Sequence, residues 1–287
     1  MTFKEDIAKV IKEKRSNITD SSIKTYVSLL SSLDKKLNGG EDIKFFSKDK
    51  KEILEYISKI EKPQTQKTLL SALFVLTEIP EYRAEMVVKC GEVQEKYKQQ
   101  KLSPEEKENR ISFDEVKQVV DGLGEKLKRE GGRSAYIDYL LLALMSGMYV
   151  PPRRAEYGDV KVKNYDKDKD NYYFKGEIIF NHYKTFNKYG QQRVSIPKEL
   201  MPTMNKWLKI NDNDYLFYNV ATGKPFSNSL LCKKLNAMFD GRHISVDALR
   251  SIFVTHKYKD MPLLNEMEKT AQAMGHSVDM EMTYIRR

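Results

Sequence analysis

Apolar residues recur with helical spacing along the first hundred positions of the chain. Phe3, Ile7, Val10 and Ile11 share one face of a helix over residues 3–15. A second helix, 21–37, carries Ile23, Val27, Leu30, Leu33 and Leu37 as a stripe behind a cap at Thr19 or Asp20, and Asn38-Gly39-Gly40 stops it. Ser47 is placed to cap a third helix, which Pro63 ends. A fourth, from about Thr65 to Glu78, is the most apolar and is the expected packing centre, and a fifth runs from Glu81 to about Lys101. Four or five helices with short connections predict an all-α bundle. Residues 102–110 (LSPEEKENR) lose the apolar pattern and contain Pro104, so the chain divides into domains at 1–103 and 111–287.

In the second domain Ser112 and Glu115 form a capping-box pattern for a helix toward Leu127, and Ala135–Ser146 is almost wholly apolar, the expected centre. From Val160 the period changes to two. Residues 159–162, 172–174, 177–180 and 191–196 read as strands of a small antiparallel sheet, with Lys184 and Lys188 at the tip of its last hairpin. Helices return at 200–210, where Trp207 reads as core, then at 228–239, around 247–256 and at 261–274. The fold class is mostly α with a small antiparallel β-sheet in the C-terminal domain, behind an all-α N-terminal domain.

Composition narrows the function. Of the 287 residues 40% are apolar and 32% charged, a folded and soluble balance. The longest apolar run, Tyr139–Met145, is far too short to span a bilayer, and the N-terminus has no apolar signal core. Cys90 and Cys232 are too few for a disulfide framework or a zinc site, in keeping with a reducing compartment, so the expected location is intracellular with no membrane partner. The formal charge is +9. Residues 1–109 hold 21 Lys+Arg against 19 Asp+Glu, and residues 110–287 hold 29 against 22. A polyanion is expected against the second part, although a solvated basic surface gives the same count.

Four stretches carry candidate chemistry. Pro151-Pro152-Arg153-Arg154-Ala155-Glu156 reads as the start of a helix, where arginines oppose the macrodipole and call for an anion or a carboxylate. Glu156, three residues beyond Arg153, is placed to hold it, in a functional or a plain surface ion pair. Lys184 reads as functional or as a solubilising hairpin lysine. Arg250 lies among Leu249, Ile252 and Phe253, where its charge needs a partner. A Gly275-His276-Ser277 turn is followed, eight residues after the histidine, by Tyr284.

In this order the stretches resemble the tyrosine recombinase superfamily, the phage-integrase type of DNA strand-exchange enzyme. Its members carry an Arg-x-x-Glu box, a lysine on a β-hairpin, a His-x-x-Arg box, a Gly-His (or Trp) box and a nucleophilic tyrosine. These correspond to Arg153–Glu156, Lys184, Asp247-Ala248-Leu249-Arg250, Gly275-His276-Ser277 and Tyr284. The run Leu249–Thr255 is similar to the family's around its second arginine, and residues 21–33 look like a helix of its core-binding domain.

The resemblance implies a tyrosine recombinase catalytic fold over about 110–287 and a helical DNA-clamping domain before it. It implies an integrase or site-specific recombinase that cleaves and rejoins double-stranded DNA through a 3′-phosphotyrosyl link on Tyr284, without cofactor or metal, as a dimer or tetramer on DNA. Arg153 and Arg250 would hold the phosphate, Lys184 would act as general acid and His276 would hydrogen-bond the phosphate. Arg154 is the alternative to Arg153. Two departures stand out. Asp247 occupies the family's His or Lys position, where it offers no positive donor but could orient Arg250 or accept a proton. The chain also ends three residues after Tyr284, where relatives continue into a segment that docks on a neighbouring subunit, so either a different assembly or a shortened C-terminus is expected. The alternative functions are a type IB topoisomerase-like DNA-relaxing enzyme and a non-catalytic DNA-binding relative.

Overall fold

The computed structural model describes residues 2–275 and 277–284, with Glu281, Thr283 and Tyr284 described by their backbone alone. The chain divides into two units, one of Met1–Lys101 with Pro262 onward and one of Leu102–Met261. Residues from Pro262 thus group with the N-terminal unit, whereas the sequence pattern runs the second domain on to 287.

The first unit begins with α1 (Phe3–Lys14), whose start is fixed by Thr2 and Glu5: the Thr2 amide donates to Glu5 Oε2 at 2.7 Å and the Glu5 amide to Thr2 Oγ1 at 3.4 Å. Thr19 rather than Asp20 caps α2 (Asp20–Leu37), accepting from the Ser22 amide. The single third helix expected behind Ser47 is two pieces, α3 (Phe45–Lys48) and α4 (Lys50–Ser58). Asp49, at φ −104° and ψ 35°, interrupts them, and Ser47 lies inside α3. Prolines open α5 (Pro63–Thr77) and α6 (Pro80–Lys98), where a missing amide hydrogen costs nothing. As its composition predicts, α5 is the centre, with Leu69, Leu70, Ala72, Leu73 and Leu76 buried and α1 to α4 and α6 all packed on it. The wholly buried Tyr82 donates its hydroxyl to the Phe46 carbonyl at 2.8 Å.

In the second unit α7 (Pro104–Asn109) lies in the stretch with no apolar pattern. It buries no residue and is held by a Ser103–Glu106 capping box, which hydrophobic spacing cannot report. The Ser112–Glu115 box does start α8 (Phe113–Glu130). Next comes α9 (Gly132–Met145), buried at every residue from Leu140 to Met145, with α8 and α11 (Met201–Ile210) against it. Trp207 of α11 is core, as expected: it stacks with Tyr136 and Tyr218 and donates Nε1–H to the Leu216 carbonyl at 2.9 Å.

The sheet has three antiparallel strands in the order β1 (Tyr172–Phe174), β2 (Glu177–Phe180), β3 (Gln192–Ser195). The alternation at 159–162 does not add a strand; Lys161 makes only isolated bridges, to Tyr172 and Tyr215. The β2–β3 connection contains a one-turn helix, α10 (Phe186–Tyr189). The unit closes with α12 (Asn228–Met238) and α13 (Val246–Lys257).

Two further helices, α14 (Leu264–Ala273) and α15 (Val278–Tyr284), belong to the first unit, where Glu268 pairs with Lys98 at 2.9 Å and the Leu264 amide donates to Gln100 Oε1 at 2.9 Å. The fold is therefore mostly helical with a small antiparallel sheet. Among the described residues no helix is long and apolar enough to cross a membrane.

Candidate active site

The double-arginine segment begins at Gly147, with φ +88°, where a Cβ would overlap the Phe253 ring of α13. The helix carrying Arg250 is thereby packed against the turn that leads to Arg153. Pro151 to Arg154 form no helix; Arg154 is extended, and a 3-10 turn follows at Ala155–Asp159. The expected conflict with a helix dipole thus does not arise, because four of these six residues precede the turn and no α-helix begins here.

Arg153 is held by other means. Its Nη1–H donates to Gln192 Oε1 at 2.5 Å, and its guanidinium carbon stands 4.1 Å from the Phe180 ring centroid and 5.1 Å from that of Tyr183. Phe180 and Gln192 are cross-strand partners at the end of β2 and β3, so one sheet edge supplies both the aromatic floor and the acceptor. Tyr157, wholly buried in the 3-10 turn, packs edge-on against Phe180 at 5.5 Å. The expected Glu156 partnership is not formed: Glu156 Oε2 and Arg153 Nε are both buried without a hydrogen bond. Arg154 is exposed, with no bond to another described residue.

Lys184 lies in the β2–β3 connection, before α10 rather than at the tip of a plain hairpin. Its side chain is exposed and has no partner among the described residues. The backbone around it is braced from below. Asn171, only 2% exposed, accepts the amides of Asn181 and His182 at 2.9 and 2.8 Å, and donates to the His182 carbonyl and to Asp159 Oδ1 at 2.8 and 2.9 Å. Asn181 in turn accepts from Gln191 Nε2 at 2.8 Å, joining the two ends of the connection. The Tyr183 hydroxyl donates to the Gly190 carbonyl at 2.6 Å and closes it. Burial raises the Asp159 carboxyl above the usual range, with the Asn171 bond and His182 opposing the shift.

Arg250 on α13 is not buried among its apolar neighbours. Its side chain is 39% exposed and donates Nη1–H to Asp247 Oδ1 at 2.9 Å, the Asp247 side chain being 70% exposed. Asp247 and Arg250 are thus an ion pair within one helix, open to solvent.

Burial pushes the Tyr82, Tyr139, Tyr157 and Tyr173 phenols upward, the wrong direction for a nucleophile. His276 lies outside the described residues. Tyr284 is the last residue of α15, its side chain also outside them. Gln192, Asn171, Asn181 and Gln191 were not singled out from the sequence. The one local hint is a pair of glutamines opening a strand, and their partners are 10 to 39 residues away. Among known proteins, no family model and no curated sequence matches the chain.

Proposed function

We propose that the chain is a DNA strand transferase of the tyrosine recombinase kind, an integrase or site-specific recombinase that acts through Tyr284. The observation that carries this reading is an arginine seated over two rings and bonded to one amide, while the chain neighbour of one of those rings is an exposed lysine, in a braced loop, that has no partner among the described residues. The ordered residue set from Arg153 to Tyr284 and the basic residues 110–287 support it further.

In this reading the Tyr284 oxygen attacks a DNA phosphodiester, forming a 3′-phosphotyrosyl bond as the 5′-oxygen leaves. The ester retains the bond energy, so a 5′-hydroxyl can reverse the step on the same or another strand. Negative charge gathers on the non-bridging oxygens in the transition state. Arg153 and Arg250 hold it with permanently charged planar donors, and loss of either lowers the rate by on the order of 10²–10³. Lys184 gives a proton to the leaving oxygen, a role worth on the order of 10²–10⁴, and His276 bonds the phosphate. Two or more copies of the chain act on two duplexes.

A suicide substrate, nicked so that the leaving strand diffuses away, should trap a covalent protein–DNA adduct that Tyr284→Phe abolishes. An adduct that persists in the variant removes Tyr284 from its role. The second reading is a DNA-binding relative that performs no cleavage, favoured by the Asp247–Arg250 pair, which occupies one phosphate ligand with a carboxylate. It expects salt-dependent binding and no adduct.

A further inference from the structure

We infer that Gln192 is a positioning residue, which fixes the Arg153 guanidinium for phosphate binding and ties it to the frame that carries Lys184; the inference rests on the proposed strand-transfer reading. Three observations lead to it.

The first is how little else orients Arg153. Stacking over Phe180 and Tyr183 fixes the height of the guanidinium above the rings, yet leaves it free to turn and slide in its own plane. Glu156 makes no bond to it, and among the described residues Gln192 alone gives it an acceptor. A single in-plane bond to Nη1 supplies the missing restraint. Because that acceptor is a neutral amide, it orients the arginine without cancelling its charge. A carboxylate there would do both, as Asp247 does at Arg250.

The second is where Gln192 sits. It opens β3 opposite Phe180, immediately after the connection that carries Lys184. Its neighbour Gln191 donates to Asn181 at the other end of that connection. Two consecutive glutamines thus reach in different directions, one to the loop and one to the arginine. The third is Tyr183, next to Lys184 in the chain, which lies under the guanidinium and also latches the loop to Gly190. Arg153 and the loop of Lys184 are therefore tied to the same end of the sheet, so that a shift of Gln192 alters the spacing between phosphate ligand and proton donor.

The test is single-turnover adduct formation on the suicide substrate with Gln192→Met, which keeps length and volume but removes the acceptor. Gln192→Ala is carried in parallel, since the two variants share only the missing amide. The melting temperature and DNA affinity of each variant are measured alongside. The expected result is adduct formation slower by on the order of 10²-fold, the effect of a misplaced reacting group, with a much smaller loss of DNA affinity and an unchanged melting temperature. In an Arg153→Ala background, Gln192→Met should cost nothing further, because its effect passes through the arginine. Full-rate cleavage by both variants overturns the inference. So does an equal fractional loss with and without Arg153, which is the signature of general destabilisation. Wild-type protein that forms no adduct overturns the strand-transfer reading itself, a result distinct from either of these.

Discussion

The two arginines proposed to grip the phosphate are held in opposite ways. Arg153 is kept by a neutral amide and two rings, and Arg250 by a carboxylate three residues away on the same helix. A solvated pair of the second kind contributes only about 0.2–0.5 kcal/mol. Charge-assisted bonds to a phosphate contribute about 1.5–3 kcal/mol, so in the proposed reading Asp247 would yield to a DNA phosphate rather than block it. Its charge would still oppose that of a DNA backbone. Asp247→Asn should tighten binding by roughly threefold to tenfold, the equivalent of about 0.7–1.4 kcal/mol, as read by anisotropy titration at fixed salt. Slower cleavage despite tighter binding would give the carboxylate a proton-accepting role instead. At this scale the sequence was legible at some partners three residues apart, as at Ser112 and Glu115 or Asp247 and Arg250. The partner of Arg153 was not legible, because its nearest plausible acceptor in the chain, Glu156, is not the one it uses; Gln192 comes 39 residues later.

Among the elements, the contact of α13 with the turn before Arg153 depends on an absent side chain. Gly147 combines a positive φ with a Phe253 ring that leaves no room for a methyl group. Gly147→Ala should destabilise the second unit by about 1–3 kcal/mol, measured by urea unfolding, and Phe253→Leu in the same chain should recover part of the loss. No change would show that the ring moves aside freely. Long amphipathic helices such as α2 and α8 were legible because one stripe of apolar residues specifies both their existence and their buried face. The polar α7, the break at Asp49 and the failure of 159–162 to join the sheet were not. The first depends on capping, the second on a single backbone conformation, and the third on which strand lies alongside.

For the whole molecule, two separate cores underlie the two units. One gathers buried residues from Phe3 to Tyr82 and the other from Ile111 to Ile252. Both are of ordinary domain size, and each is closed by its own helices. Residues Leu102–Met261 expressed alone should therefore unfold in one cooperative transition, followed by circular dichroism on heating; a broad, non-cooperative melt would mean that this core depends on the rest of the chain. The loss of apolar pattern over 102–110 puts a sequence boundary between 103 and 111, and the compact units part at Lys101 and Leu102. The grouping of α14 and α15 with the first unit could not be read in this way, because an amphipathic helix records that it is covered but not by what.

Asn171 has a consequence for timing as well as position. Both of its amide protons and both directions of its carbonyl oxygen are engaged, and all four bonds end at the base of the Lys184 loop or on Asp159. The entropy of ordering that stretch of backbone is therefore lost when the protein folds, not when a ligand arrives. In the proposed strand-transfer reading the lysine side chain, rather than its backbone, would remain to be ordered on DNA, which lowers the ordering cost of the encounter.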